Sequence, residues 1–446
     1  MKSKLLSFSL LLLVLFVANC GGGTGSGNSD VTYVEQIDRS ATVFVKLTGT
    51  VVKNDSFWKD AMNDVQAAIN LASTEGKTHV LIMTGTYKPS SKPNISTGTD
   101  NRERHFSLCN NVTVIGGFAG SEKKLEPTGE ATVLSGNIDD TPENIDGTDT
   151  DITGNSYHVF YHPDTMTTKL DETAVLQNVT ITGGNANGDT VIHKNGGGMY
   201  NDNSSPKLTG CTFKKNTAIG VSGGASGGGG MCSLNSSPEL RDCIFSGNEI
   251  DWDGGGLYIS NGNPIIANCI FQGNNSKKGS GGGIYIYSGN PKIINCIFEG
   301  NKVFVEYYGG GINHRAGNLI IINCTLTGNS SGLFGGGVYS EASHQLTIYG
   351  SIIIGNTAKN LSNSDTNYSS TPANYNLIGG ATPITDIFVN ITESFLIKSD
   401  GPAQNKIPLE TLKSWYDVDN MSGITDYLGN PRLVGTEGDI GAIELQ

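Results

Sequence analysis

Two stretches of this 446-residue chain gather side chains that could do chemistry. The first is a set of short segments standing just before recurrent glycine triplets. Asp251-Trp252-Asp253, Lys277-Lys278 and Glu306-Tyr307-Tyr308 precede successive triplets, and His314-Arg315 follows the last of these. Flat aromatic faces give CH contact to a sugar ring, and carboxylates beside them accept from its hydroxyls. Asp251, Trp252, Asp253, Glu306, Tyr307 and Tyr308 are therefore the candidate ligand-binding residues, for a polysaccharide or another cell-surface ligand. If each repeat rises by one strand spacing, Asp253 and Glu306 stand roughly 9.6 Å apart, the upper end of an inverting carboxylate pair. Exposed loops also vary without purpose, so no catalytic residue is assigned. The second stretch spans residues 139–151, with Asp139, Asp140, Glu143, Asp146, Asp149 and Asp151 and no lysine or arginine. Calcium takes six to eight hard oxygens and is the one cofactor such a loop suggests, although its spacing fits no EF-hand. A solvated acidic loop is the simpler reading.

A different chemistry is written at the N-terminus. Lys2 and Lys4 precede an apolar run, Leu5 to Val17, which ends in Val17-Ala18-Asn19-Cys20. That run is too short to span a membrane as a mature helix and suits a cleaved signal. The tetrapeptide resembles a lipobox, the cleavage and acylation site of bacterial lipoproteins, with Asn19 where a small glycine or alanine is usual. The resemblance makes Cys20 the lipidated residue and implies an exported protein, anchored in the outer membrane or at the cell surface. Seven cysteines follow Cys20, none paired as Cys-x-x-Cys, so a metal site is not indicated. Five of them stand in a column whose expected spacing is loose for a disulfide. They read as small buried apolar residues.

All these groups hang on one repeated unit over residues 196–358. Each copy opens as in Gly254-Gly255-Gly256-Leu257 and closes as in Cys269-Ile270-Phe271 to Asn274. Cys211, Cys243, Cys269, Cys296, Cys324 and Ser351 recur at steps of 32, 26, 27, 28 and 27 residues. A fixed period in the twenties, without helical periodicity, denotes a solenoid of short strands. Leu240, Cys243 and Phe245 alternate except across Asp242, where the chain must bend. Three strands and three bends per coil are expected, with phenylalanines in one interior column. The asparagines should form a ladder in which each amide bonds the next. The glycine triplets are taken as bends that need positive φ. The expected fold is all-β, a right-handed parallel β-helix.

The Gly-Gly-apolar and Phe-x-x-Asn pairing resembles the repeats of the polymorphic outer-membrane proteins, surface-exposed bacterial β-helices. The flanks are similar to a broader group of secreted right-handed β-helix proteins. Gly85-Thr86-Tyr87-Lys88-Pro89 and Ile115-Gly116-Gly117-Phe118-Ala119-Gly120 carry that likeness at the N-terminal side. Gly438-Asp439-Ile440-Gly441-Ala442-Ile443-Glu444 resembles the end of the choice-of-anchor Q domain. These resemblances imply export and a β-helix but no settled activity. The aspartate cluster of polygalacturonase-like hydrolases is not found on the repeats. The arginine base and calcium aspartates of pectate lyases cannot be placed either.

Composition agrees. Glycine is 61 of 446 residues, and charged residues are 16%, against about 7% and about 25% in average chains. A net charge of −13 excludes nucleic acid as a partner of the whole surface. The chain divides into a signal peptide (1–20), a flexible tether and linker (21–52), the β-helix with its cap (53–358), and final coils with a C-terminal cap (359–446). One helix, with Trp58, Met62, Val65 and Ile69 on a stripe and Asp55 or Ser56 as N-cap, should cap the first strand, residues 79–83. A monomer is expected. Alternation turns Thr212, Ile244, Ile270, Ile297, Thr325 and Ile352 outward in a strip that must be hidden or used. Part of residues 360–397 is expected to fold over it.

Overall fold

The computed structural model describes residues 37–50, 56–94, 99–120, 127–128, 130–139, 152–223, 227–341, 344–359 and 365–366, with five short strands beyond Leu377. Cys20, the tether up to residue 36, residues 140–151 and most of the chain after 359 lie outside the described residues.

A single coil shows how the sequence winds. Met199–Asp202, Lys207–Thr209, Thr212–Lys214 and Thr217–Ala218 are its four extended stretches. Each pairs in parallel, in register, with its counterpart one coil on. We call the four resulting stacks the tyrosine, leucine, phenylalanine and short ladders, in chain order. Among the described residues the leucine and phenylalanine ladders have ten strands each, the tyrosine and short ladders seven. The expected three strands per coil are thus four. The additional one is a two-residue stretch that stays extended after the asparagine turn, before the loop to the next triplet. Two antiparallel strand pairs lie outside these stacks.

The bends follow the sequence. Asp242, Asn268, Asn295 and Asn323 turn the chain between the leucine and phenylalanine ladders with φ from 50° to 54°. Asparagine and aspartate tolerate that left-handed region better than other side chains. The glycine triplets do two jobs rather than one. In Gly254-Gly255-Gly256 only the first residue has positive φ, at 79°. A Cβ on Gly255 or Gly256 would instead lie 2.4 Å or 2.6 Å from a carbonyl oxygen of the next coil. Close approach of backbones, not φ, demands the second and third glycines.

Inside the coils like stacks on like. Phe213, Phe245, Phe271 and Phe298 lie nearly parallel with centroids 4.6 to 4.8 Å apart. Asn216, Asn248, Asn274, Asn301, Asn329 and Asn356 each donate an amide hydrogen to the next oxygen at 2.8 to 3.1 Å. Asn356 donates in turn to Asp365 Oδ1 at 2.9 Å. The column cysteines are free and buried, their thiols donating to backbone carbonyls.

The N-terminal end differs from expectation. The first strand is Thr42–Val45, which pairs with His79–Met83. The single helix is two, α1 (Ser56–Lys59) and α2 (Val65–Glu75). Between them Met62 bonds Phe44 and Lys46 as one more bridge on the strand, which breaks the helix. Asp64, not Asp55 or Ser56, caps α2 by accepting from the Ala67 amide at 2.8 Å. Val65, Ala68, Ile69 and Ala72 of α2 close the open end of the core over Val43, Val45, Val80 and Ile82. Trp58 belongs elsewhere, packed edge-on against Phe44 outside the leucine ladder.

The outward strip is half-buried at Thr212 and Ile244 but buried at Ile270, Ile297, Thr325 and Ile352. None of these joins the core cluster that holds Phe271 and Phe298. Alternation therefore holds, and the strip is covered from Ile270 onward; most of residues 360–397 lies outside the described residues.

Candidate functional site

The tyrosine ladder directs its first and third residues inward, as Met199 and Asn201, and its second and fourth outward. The second position, two residues after each triplet begins its strand pairing, reads Tyr161, Tyr200, Cys232, Tyr258, Tyr285, Asn313 and Tyr339 from coil to coil. The result is an outer row of tyrosines. Tyr161 and Tyr200 have centroids 5.6 Å apart, and Tyr258 and Tyr285 stack at 5.5 Å. Tyr200, Tyr258 and Tyr285 are buried in the row, and burial raises their hydroxyl pKa values. Tyr287, Tyr308, Arg315 and Tyr339 stay partly open at its C-terminal half.

The loops before the triplets border this row. Asp253 is buried, and its Oδ1 accepts from the Ser280 amide at 2.7 Å. Burial pushes its carboxyl up to about 6, against that hydrogen bond and the charge of Arg315, which pull it down. The Ser280 hydroxyl accepts from the Tyr308 amide at 3.2 Å, so one serine on the coil between them ties Asp253 to Tyr308. The Tyr308 ring lies 4.3 Å from Tyr339 and so extends the row sideways. The Arg315 guanidinium covers the Tyr287 ring at 4.6 Å, within hydrogen-bonding reach of the Tyr285 hydroxyl. Glu341 stands 4.0 Å from Arg315.

The six residues singled out from sequence therefore divide. Asp253 and Tyr308 join the row. Asp251 is engaged with Lys278 at 2.8 Å, and Trp252 is half-buried between loops. Glu306 is fully exposed and paired with Lys359, and Tyr307 is exposed beside Phe304 and Val305. Asp253 is thus buried with its carboxyl raised, whereas Glu306 is exposed and paired with Lys359. The row itself escaped the sequence reading, although its signal recurs: the second residue after the triplets is tyrosine at 200, 258, 285 and 339.

A second gathering was also missed. His105, His158, His162 and His193, four of the seven histidines, meet at the N-terminal end of the tyrosine ladder. His158 stacks on Tyr161 at 4.9 Å and His193 on Tyr157 at 4.4 Å. Burial holds His105 and His158 down to about 3 and His162 to about 4. Their ring nitrogens are largely taken, by the Glu103 carbonyl, the Gly196 carbonyl and Asn201. Among the described residues no three histidine, cysteine, aspartate or glutamate side chains are placed to hold a metal ion.

Four parallel ladders decide the architecture, and a family model described as a right handed beta helix region matches residues 144–320. The fold is a right-handed parallel β-helix. Among solved structures this β-helix is similar to one described as the crystal structure of pectate lyase Pel9A, at a TM-score of 0.50 and 14% identity. That likeness covers 91% of this chain and 96% of the other, and at such identity it speaks of fold alone. No curated protein matches the chain.

Proposed function

We propose that this β-helix binds saccharides along the outer tyrosine row. The observation that carries the proposal is the patch formed by Tyr285, Tyr287, Tyr308, Arg315 and Tyr339 with Asp253 and Glu341 at its margins. It combines partly open rings with fixed donors and acceptors, the two things a sugar face requires. A rigid stack of coils repeats such contacts along one axis, which suits an extended polymer. An array of soluble polysaccharides tests the reading. The wild-type protein should be retained by at least one of them, and Tyr287→Ala or Tyr339→Ala should weaken retention about tenfold, the loss of one stacking contact. No retention on any polysaccharide would overturn it.

A second reading has one specific support. A carboxyl held near 6 beside a tyrosine and an arginine is the kind of group that acid and base catalysis employs. The fold neighbour is described as a pectate lyase, so release of reducing ends should be followed on the same array. Cleavage that survives Asp253→Asn would remove Asp253 from that role.

The place of action is a further proposal, resting on the N-terminal residues alone. Cys20 carries a lipid and holds the exported protein at the outer membrane or cell surface. Replacing Cys20 with serine should move the protein from the membrane fraction to the soluble one; retention in the membrane fraction would refute acylation there.

A further inference from the structure

Charge along the row narrows the ligand. The described charged groups around its open C-terminal half are Asp251, Asp253, Lys278, Glu306, Arg315, Glu341 and Lys359. Every cation in that set already faces a carboxylate. Lys359 pairs with Glu306, Lys278 bonds Asp251 at 2.8 Å, and Arg315 lies 4.0 Å from Glu341. The fourth carboxylate, Asp253, makes no ion pair and accepts from the Ser280 amide at 2.7 Å. Around this patch, four acids thus stand against three cations, each of which is engaged.

Resting on the saccharide reading above, we infer that the glycan this face takes carries no carboxylate or sulfate. An acidic polymer would meet like charge at Asp253. It would also have to take Arg315 from Glu341, losing one ion pair for each it gains. Hydroxyls can donate to the carboxylates at the margin and partner the tyrosine hydroxyls.

Affinity electrophoresis of the full chain separates the cases. Gels would contain xylan, a β-glucan, partly deacetylated chitin, polygalacturonate or alginate. Retardation by a neutral or an amine-bearing polymer, and none by the two uronates, is the expected result; the chitin arm tells the two permitted classes apart. Glu341→Gln frees Arg315 and should bring out retardation by uronate at low salt where the wild type shows none, an effect that fades as salt screens it. A Glu341→Gln protein that gains nothing would count against the charge argument. Wild-type binding to polygalacturonate that is lost in Tyr287→Ala would overturn it while leaving the site in place. If no polymer retards the protein, the site reading fails first and the inference with it.

Discussion

A carboxyl kept from water next to aromatic rings strains the protein that holds it, and Asp253 is such a group. Its folded pKa of about 6 exceeds the 3.8 of a free aspartate. The native state therefore favours the protonated form. The stability this gives is present below pH 4 and is lost as pH rises through 6, so at neutral pH the charge costs about 3 kcal/mol. Asp253→Asn keeps an oxygen for the Ser280 amide and discards the charge. It should melt higher than wild type at pH 8, with the gap closing near pH 4. Equal melting at both pH values would mean the carboxylate is well solvated. A residue that lowers stability where it stands is a better mark of function than one that merely fits.

At the level of strands and bends, the histidine cluster makes a prediction of the opposite sign. His105, His158 and His162 titrate far below the 6.5 of free histidine because they are buried. The unfolded chain binds more protons there, so stability is full above pH 6.5 and falls steadily toward pH 4 and below. Around the cluster Lys92 pairs with Glu103 at 3.1 Å, Asp100 accepts from the Tyr157 hydroxyl at 2.8 Å, and Arg102 lies over the Tyr157 ring. His158→Phe keeps a flat ring against Tyr161 but cannot be protonated. Thermal melts from pH 7.5 to 4 should fall less steeply in this variant, even if it starts lower for want of the Gly196 bond. An unchanged slope would take His158 out of the account. These same elements show what a sequence discloses. Cys269, Phe271 and Asn274 were legible because each contacts its own counterpart in the next coil, so selection for stacking writes the contact into a period. Thr42–Val45 was not, since it pairs only once, at an end where no repeat announces it. The helix was read across Met62 because a stripe of apolar residues fits a helix or a bridge equally well. The tyrosine row was visible in principle at 200, 258, 285 and 339, but Cys232 and Asn313 interrupt it, and the eye goes to the loops. The histidines carry no pattern at all; His162 ends a strand, and His105, His158 and His193 reach it from outside the strands.

For the molecule as a whole, stacking of like on like means that coils are interchangeable parts. Deleting residues 254–280 joins Asp253 to Gly281 and brings Phe245 onto Phe298 and Asn248 onto Asn301, partners of the same type as those removed. The shortened chain should fold, keep its β-type circular dichroism, and lose roughly 4.8 Å of axial length by small-angle scattering. Deleting residues 254–267, half a coil, should leave no folded product; recovery of a cooperative melt from it would show that register is not what holds the stack. The stack also has a direction. Each ladder asparagine, from Asn216 through Asn248, Asn274, Asn301 and Asn329 to Asn356, passes a hydrogen to the coil ahead. At the end of that relay stands Asp365, which takes from Asn356 and, as a carboxylate, has nothing to hand on. The relay stops there by chemistry, as a sentence stops at its full point. An asparagine set beside Asp365 could give a hydrogen to its carboxylate but would receive none from it.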